Sequence, residues 1–140
     1  MMKKAIVLFV AFAFILIGCS DRPPVPKLSA GNIDIPVVMG SYSWKSFAKH
    51  VVADAPGPVD LLKGTAPVSV KPGAEVLVKF SSKPDKLIWS RWVGNEAVEQ
   101  AELNSNKLML PEEKGVYIYS IRAVWGTYNS GMYAFIVKVE

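Results

Sequence analysis

Two stretches near the C-terminus carry an apolar or aromatic residue at every odd position, and the even positions of the first include Ser120 and Arg122; this period of two favours β structure there. In 116–125 the odd positions are Tyr, Tyr, Ile, Ala and Trp, and in 132–139 they are Tyr, Phe, Val and Val. Successive side chains of a strand point to opposite faces, so each stretch predicts a strand with one buried face. The intervening 126–131 begins and ends with glycine, which suits a β-hairpin loop.

Further short strands are predicted upstream, at a spacing typical of sandwiches and barrels. The candidate segments, bounded by Pro, Gly, Asn and Asp residues that favour turns, are 33–44, 66–70, 75–80, 86–93, 98–103 and 107–110. The segment 45–63 is irregular, and a single helical turn at 46–50 is the most regular structure expected in it. No helical periodicity of useful length separates the strands, which argues against a parallel α/β fold. We therefore predict an all-β fold.

The N-terminus carries a short apolar run that ends at the only cysteine of the chain. Lys3 and Lys4 precede the thirteen apolar residues 5–17, and Gly18 and Cys19 follow. A basic start, a short apolar run and a small residue at the cut site are typical of a secretory signal peptide. Thirteen helical residues span about 20 Å, whereas the hydrocarbon core of a bilayer is roughly 30 Å thick. The run therefore favours a cleaved signal peptide over a transmembrane anchor.

The tetrapeptide Leu16-Ile17-Gly18-Cys19 resembles the lipobox of a bacterial lipoprotein precursor. This resemblance implies cleavage after Gly18, a diacylglycerol on the Cys19 sulfur and an N-acyl lipid on the new N-terminus. It also implies a location on the extracytoplasmic face of the cell membrane. Two or more acyl chains give stable anchoring, which a single chain does not. We expect no cofactor other than this covalent lipid.

Cleavage leaves 122 of the 140 residues, which is enough for one domain with its own core. The signal peptide, 1–18, carries two of the sixteen basic residues and no acidic one, so the net charge falls from +4 to +2. A balance this mild, with charges dispersed along the chain, gives no reason to expect a nucleic-acid partner. The proline-rich 19–32, which starts with the lipidated cysteine, is predicted as an extended tether. A β-sandwich domain is predicted at 33–140.

Six short motifs lie in the mature part, namely Gly40-Ser41-Tyr42-Ser43-Trp44, Ala53-Asp54, Pro58-Val59-Asp60-Leu61, Pro72-Gly73, Gly115-Val116-Tyr117 and Tyr133-Ala134-Phe135. Together they resemble those of small, uncharacterised bacterial lipoproteins with an immunoglobulin-like sandwich. The resemblance implies an immunoglobulin-like antiparallel β-sandwich and carries no established activity. Relatives of this kind are expected to have cysteines where this chain has Ser43 and Val52, so a disulfide is not expected here.

Few residues could carry catalysis. His50 is the only histidine, and a lone histidine without a free thiolate does not form a usual zinc site. It could act as a general base oriented by Asp54. The serines near it in sequence are Ser41, Ser43 and Ser46, and none lies in a Gly-x-Ser-x-Gly motif. We therefore expect no catalytic residues and no metal site.

Tryptophan and tyrosine are numerous for one small β domain. Trp89 and Trp92 are three residues apart, so they point to opposite faces of a regular strand unless a bulge intervenes. Rings at the surface suit sugar stacking or protein contact, whereas others fill the core of a sandwich. The candidate binding surface comprises Tyr42, Trp44, Trp92, Trp125 and Tyr128.

Three classes of function fit these features. A non-catalytic binding or interaction module at the cell envelope is preferred, with an envelope protein or a cell-wall glycan as its partner. The second is an inhibitor of extracytoplasmic proteases that presents a loop such as 129–131 or 55–59. The third, and least favoured, is a hydrolase that uses His50. Because sandwiches serve many unrelated functions, the predicted fold does not choose among them.

Overall fold

The alternating segments build an all-β sandwich. The computed structural model describes residues 21–140, which form eleven strands and one short helix. The elements in chain order are β1 (Lys27–Ala30), β2 (Ile33–Ile35), β3 (Val38–Lys45), β4 (His50–Ala53), α1 (Pro58–Leu61), β5 (Val68–Val70), β6 (Glu75–Lys79), β7 (Lys86–Val93), β8 (Glu96–Glu102), β9 (Lys107–Met109), β10 (Gly115–Trp125) and β11 (Asn129–Val139). The predicted all-β class is confirmed.

The strands form two sheets that pack face to face. The smaller sheet has the order β2-β1-β6-β9, and the larger has the order β4-β3-β11-β10-β7-β8. All pairs on these two paths are antiparallel. Strand β5 lies off the path and pairs in parallel with the last residues of β11. The predicted C-terminal hairpin is the central pair of the larger sheet, with an unbroken register from Gly115–Val139 to Trp125–Asn129.

The main core lies between the sheets and follows the period-two pattern of the sequence. Ile121, Phe135 and Val137 of the larger sheet are fully buried, and Leu28 and Val76 face them from the smaller sheet. Complete burial of such a side chain stabilises the fold by about 1.5–3 kcal/mol relative to an exposed one. Among the residues that flank them in sequence, Lys27, Glu75 and Arg122 are exposed.

A second, smaller apolar cluster lies on the outer face of the larger sheet, beneath α1. The helix contacts β3, β7, β10 and β11, and Leu62 directly after it is only 3% exposed. The sheet residues there are small, and both Ser120 and Ala134 are buried. Gly40 makes room for Met132, because a Cβ at this position would collide with the methionine methyl group. The outer face of this sheet is thus partly covered.

The predicted tether, 19–32, includes residues that belong to the sandwich. Strand β1 lies inside the smaller sheet, and its Leu28 is 1% exposed. Pro23 and Pro26, before the strand, are also buried. The sandwich therefore begins before the predicted boundary at Ile33. A four-residue strand with two buried positions gives too short an alternation to stand out beside three prolines.

Two other expectations differ from the structure in detail. The segment 33–44 divides into β2 and β3, which belong to different sheets, because Pro36 interrupts it. The helical turn predicted at 46–50 is absent, and a tight turn there leads into β4. The helix forms instead at Pro58–Leu61, where proline at the first helical position is favourable because its missing N–H would have no helical partner.

Candidate functional site

The two ends of the sandwich differ in composition, and the candidate site lies at one of them. The end that we call the hairpin end gathers 46–49, 81–85 and 126–128, together with the chain that enters β1 at 21–26. The opposite end, called the far end, gathers turns and loops of the same strands. Its segments are 31–32, 71–74, 94–95 and 110–114.

A cluster of aromatic rings closes the core at the hairpin end. Trp125 makes edge-to-face contacts with Trp44 and Phe80, each with ring centroids 5.4 Å apart. Phe80 also meets Tyr133 edge to face at 5.6 Å, and the Trp125 indole N–H donates to the Ser82 carbonyl at 3.0 Å. Such pairs contribute about 0.5–1.5 kcal/mol each beyond the area that they bury. Trp44 and Trp125 are therefore half-buried structural rings with limited free surface.

The other predicted binding residues lie in different surroundings. Tyr42 is half-buried opposite Gly131. Tyr128 is 61% exposed at the hairpin tip, with the Lys45 ammonium 4.8 Å from its ring centre. Trp92 lies on the outer face, where its indole N–H donates to the Ser120 hydroxyl at 2.8 Å. The fold thus brings four of the five predicted residues towards one end and places Trp92 elsewhere.

Trp89 and Trp92 lie on opposite faces of β7, as their three-residue spacing predicts. Trp89 lies opposite Ile121 and packs against the main core. Trp92 lies opposite Ile118 on the outer face. The register of β7 with β8 also shifts between Arg91 and Trp92, which is a local irregularity of the edge pair.

A groove that the sequence did not reveal opens at the hairpin end, between the end of β6 and the beginning of β7. Its cavity volume is about 670 Å³. Apolar side chains from both sheets line it, and polar groups come from Lys79, Glu102 and the segments 83–86 and 104–106. The apolar lining residues are Val78, Phe80, Pro84, Leu87 and Leu103. Two stretches of the chain contribute to it, 78–87 and 102–106, and the fold brings them together, so no local motif marks it.

Three lysines and two acidic residues, Asp85 and Glu102, line the groove, so its formal charge is +1. Within residues 21–140, Lys79, Lys83 and Lys86 line it without an ion-pair partner. The carboxylate of Asp85 accepts the Gly126 N–H at 2.7 Å, so it serves mainly to fix the hairpin loop. The ammonium groups are therefore available to a ligand that carries carboxylates or other oxygen acceptors.

Charge is also separated between the ends of the sandwich. The residues near the hairpin end are predominantly basic, namely Arg22, Lys27, Lys45, Lys49, Lys79, Lys83 and Lys86 against Asp21, Asp85 and Glu102. Those near the far end are predominantly acidic, namely Asp34, Glu75, Glu96, Glu112, Glu113 and Glu140 against Lys71, Lys114 and Lys138. Charges that are dispersed in the sequence are therefore segregated by the fold.

The segment before β1 is fixed to the hairpin end by the Tyr133 hydroxyl, which donates to the Pro24 carbonyl at 2.6 Å. Burial raises the pKa of this phenol well above its usual range, so the donor proton is retained. Gly131 leaves space for the contact, since a Cβ there would lie 2.7 Å from the Tyr133 oxygen and 3.0 Å from Pro23. The chain thus enters the domain at a defined place.

The candidate catalytic residues do not form a triad. The Ser43 hydroxyl and the His50 Nε2 lie 2.8 Å apart on exposed, neighbouring strands. In the described part of the chain no carboxylate bonds to the histidine ring, and Asp54 is not a partner. Ser41 and Ser46 bond to backbone groups instead. A serine–histidine pair without an orienting acid, on an open strand face, lacks the third group that activates such nucleophiles.

The two segments considered for protease inhibition lie in different surroundings. The segment 129–131 belongs to β11 and pairs with β3, so it is not a projecting loop. The segment 55–59 leads into α1, and its Pro58 is buried.

Neither protein-family models nor curated proteins nor solved structures gave a match to this chain. Residues 21–140 contain no group of three or more His, Cys, Asp or Glu side chains placed to hold a metal ion. No helix in that part of the chain is long and apolar enough to cross a membrane. Cys19 and the predicted signal peptide lie outside the described residues.

Proposed function

We propose that this protein is a lipoprotein anchored at the extracytoplasmic face of the cell membrane through Cys19, and that its sandwich is a non-catalytic interaction module. The groove at the hairpin end is the observation that supports a binding role. It combines an apolar floor with three lysines that have no ion-pair partner in the described part of the chain. Concave sites with apolar walls and a few polar groups are typical places for ligand binding.

The preferred partner is another envelope protein, which presents an extended acidic segment. The floor residues Phe80, Leu87 and Leu103 can receive apolar side chains, and the lysines around them can pair with carboxylates. Sugar stacking requires an open ring face, yet Trp44 and Trp125 are half-buried and turned edge to face. A cell-wall glycan is therefore the less favoured partner.

Charge reversal at the groove tests the binding role. The full lipidated protein with Lys83→Glu and Lys86→Glu is compared with the wild type by crosslinking and pull-down from intact cells. The expected result is loss of a dominant envelope-protein partner. The matched control reverses two exposed lysines at the far end, Lys71→Glu and Lys114→Glu, and should retain that partner. Equal recovery with both double variants would remove the groove from the proposal.

The anchor is tested separately. Cys19→Ser removes the only thiol of the chain and should abolish incorporation of labelled fatty acid. It should also move the protein out of the membrane fraction. Continued fatty-acid labelling of this variant would contradict lipidation at Cys19.

A further inference from the structure

The point at which the chain leaves the sandwich is close to the proposed lipid. Asp21, the first described residue, follows Cys19 by two positions. Two residues of extended chain span about 7 Å at most. Asp21 lies beside the turn between β3 and β4, with its carboxylate 3.6 Å from the Lys49 ammonium. Buried Pro23 and the Tyr133–Pro24 hydrogen bond hold the following segment in place.

An exposed aromatic tip lies beside this exit. Phe47, in the turn between β3 and β4, is fully exposed, with an exposure of 106%, and Tyr128 of the neighbouring hairpin loop is 61% exposed. Lys45 and Lys49 flank Phe47 in sequence, and the Lys45 ammonium lies over the Tyr128 ring. We refer to Lys45, Phe47, Lys49 and Tyr128 as the membrane tip. These are the chemical features of a surface that meets a bilayer.

We propose that the membrane tip docks into the surface of the same membrane that holds the Cys19 lipid, an inference that rests on the lipidation proposed above. Aromatic side chains favour the interface between hydrocarbon and water, and lysines extend their ammonium groups to the headgroups. Anionic phospholipids attract basic residues near the surface. Because basic residues gather at the hairpin end, this attraction orients that end of the domain towards the membrane.

Docking would have a geometric consequence for the groove. The groove opens at the same end of the sandwich as the membrane tip. The exit chain is too short to hold the domain far from the headgroups. A partner that enters the groove would therefore be a protein located at the membrane itself, such as the extracytoplasmic segment of a membrane-embedded protein.

The experiment uses the full mature protein, purified with its lipid. The protein is placed in vesicles made of equal parts of phosphatidylethanolamine and phosphatidylglycerol. Acylation is first measured by mass spectrometry. Because the chain has no second cysteine, an introduced Ala48→Cys provides a unique free thiol next to Phe47. It is labelled with an environment-sensitive fluorophore. Asn95→Cys, at the far end, is the matched control. Quenching by a nitroxide-labelled lipid reports the depth of each label.

Strong quenching at position 48 and none at position 95 supports the proposal. Phe47→Ser in the Ala48→Cys background should then lose most of that quenching. Acylated protein that remains in the vesicles but shows no quenching at position 48 would overturn the docking and leave the anchor intact. Absence of the lipid in the mass spectrum would overturn both proposals. Circular dichroism of each variant verifies that the sandwich is folded.

Discussion

The hairpin end and the far end are built by the same strands and by turns of similar length, yet they are closed in different ways. Rings fill the hairpin end, where Trp125 contacts Trp44 and Phe80. At the far end the last residues are held by polar contacts, such as that of the Glu140 carboxylate with the Ser69 hydroxyl at 2.6 Å. Aromatic surface, positive charge and the entry of the chain thus coincide at one end. The difference supports the proposal that the hairpin end carries the binding role.

The largest expected difference between the ends is in stability. Trp125→Ala removes two edge-to-face contacts and the indole bond to Ser82, and should lower the free energy of unfolding by about 2–4 kcal/mol. Val116→Ala, at an exposed position near the far end, should change it by less than about 0.5 kcal/mol. Urea unfolding followed by fluorescence and circular dichroism measures both. Similar losses in the two variants would contradict the structural role given to the rings.

A pair of glycines in the central hairpin sharpens the comparison. Gly131→Ala places a methyl group against the Tyr133 hydroxyl and Pro23, and should cost about 1–3 kcal/mol. Gly115→Ala, at the other end of the same hairpin, finds its nearest atom 3.6 Å away and should be nearly neutral. The measurement is again the free energy of unfolding. Limited proteolysis should cleave the segment before β1 faster in Gly131→Ala only.

Alkaline pH gives a smaller effect with a defined sign. Burial raises the pKa of Tyr119 to about 12 and that of Tyr133 further, whereas an unfolded tyrosine titrates near 10. The folded state therefore holds protons that the unfolded state releases, so stability is full below about pH 10 and falls as the pH rises towards 12. Tyr133→Phe removes one of these two groups and should make the fall less steep.

The same Tyr133→Phe variant also loses the bond to Pro24, which should cost about 1 kcal/mol at neutral pH. Its counterpart, Tyr117→Phe, loses an exposed hydroxyl bond to the Glu113 carbonyl and should cost less. Urea midpoints measured from pH 7 to about pH 11 test both effects. A Tyr133→Phe protein with the wild-type pH profile would contradict the account of burial.

The smallest effect is expected at the exposed serine–histidine pair. Ser43→Ala and His50→Gln each remove one partner of a cross-strand bond on an open face, and should change stability by less than about 0.5 kcal/mol. Both should retain the envelope partner in the pull-down. Loss of a hydrolytic activity in either variant, with the fold intact, would instead favour the hydrolase.

The sequence predicted those parts of the fold in which one face of a strand is buried over several residues. Strands β10 and β11 show this over eleven residues each, and their hairpin and core face were predicted correctly. Strand β1 has four residues beside prolines, and its place in the core was not predicted. Its burial depends on pairing with β6, which lies about fifty residues further along the chain.

The candidate site was predicted less completely, for the same physical reason. Tryptophans were recognised as candidates, but whether a ring such as Trp125 is free or packed depends on neighbours such as Phe80 from another sheet. The groove lysines lie close together in sequence, but the wall that Leu103 and its neighbours add comes from a segment that only the fold places beside them. Exposure of Phe47 is likewise set by the turn between β3 and β4.

Site-specific photo-crosslinking in intact cells tests the central claim most directly. A photoreactive amino acid replaces Asn104 at the groove in one full-length lipidated protein, and Asn95 at the far end in another. Both positions are exposed, and the two proteins differ only in which end carries the probe. The account predicts one dominant crosslinked envelope protein from position 104 and none from position 95. The same partner captured equally from both positions, or only from position 95, would contradict it.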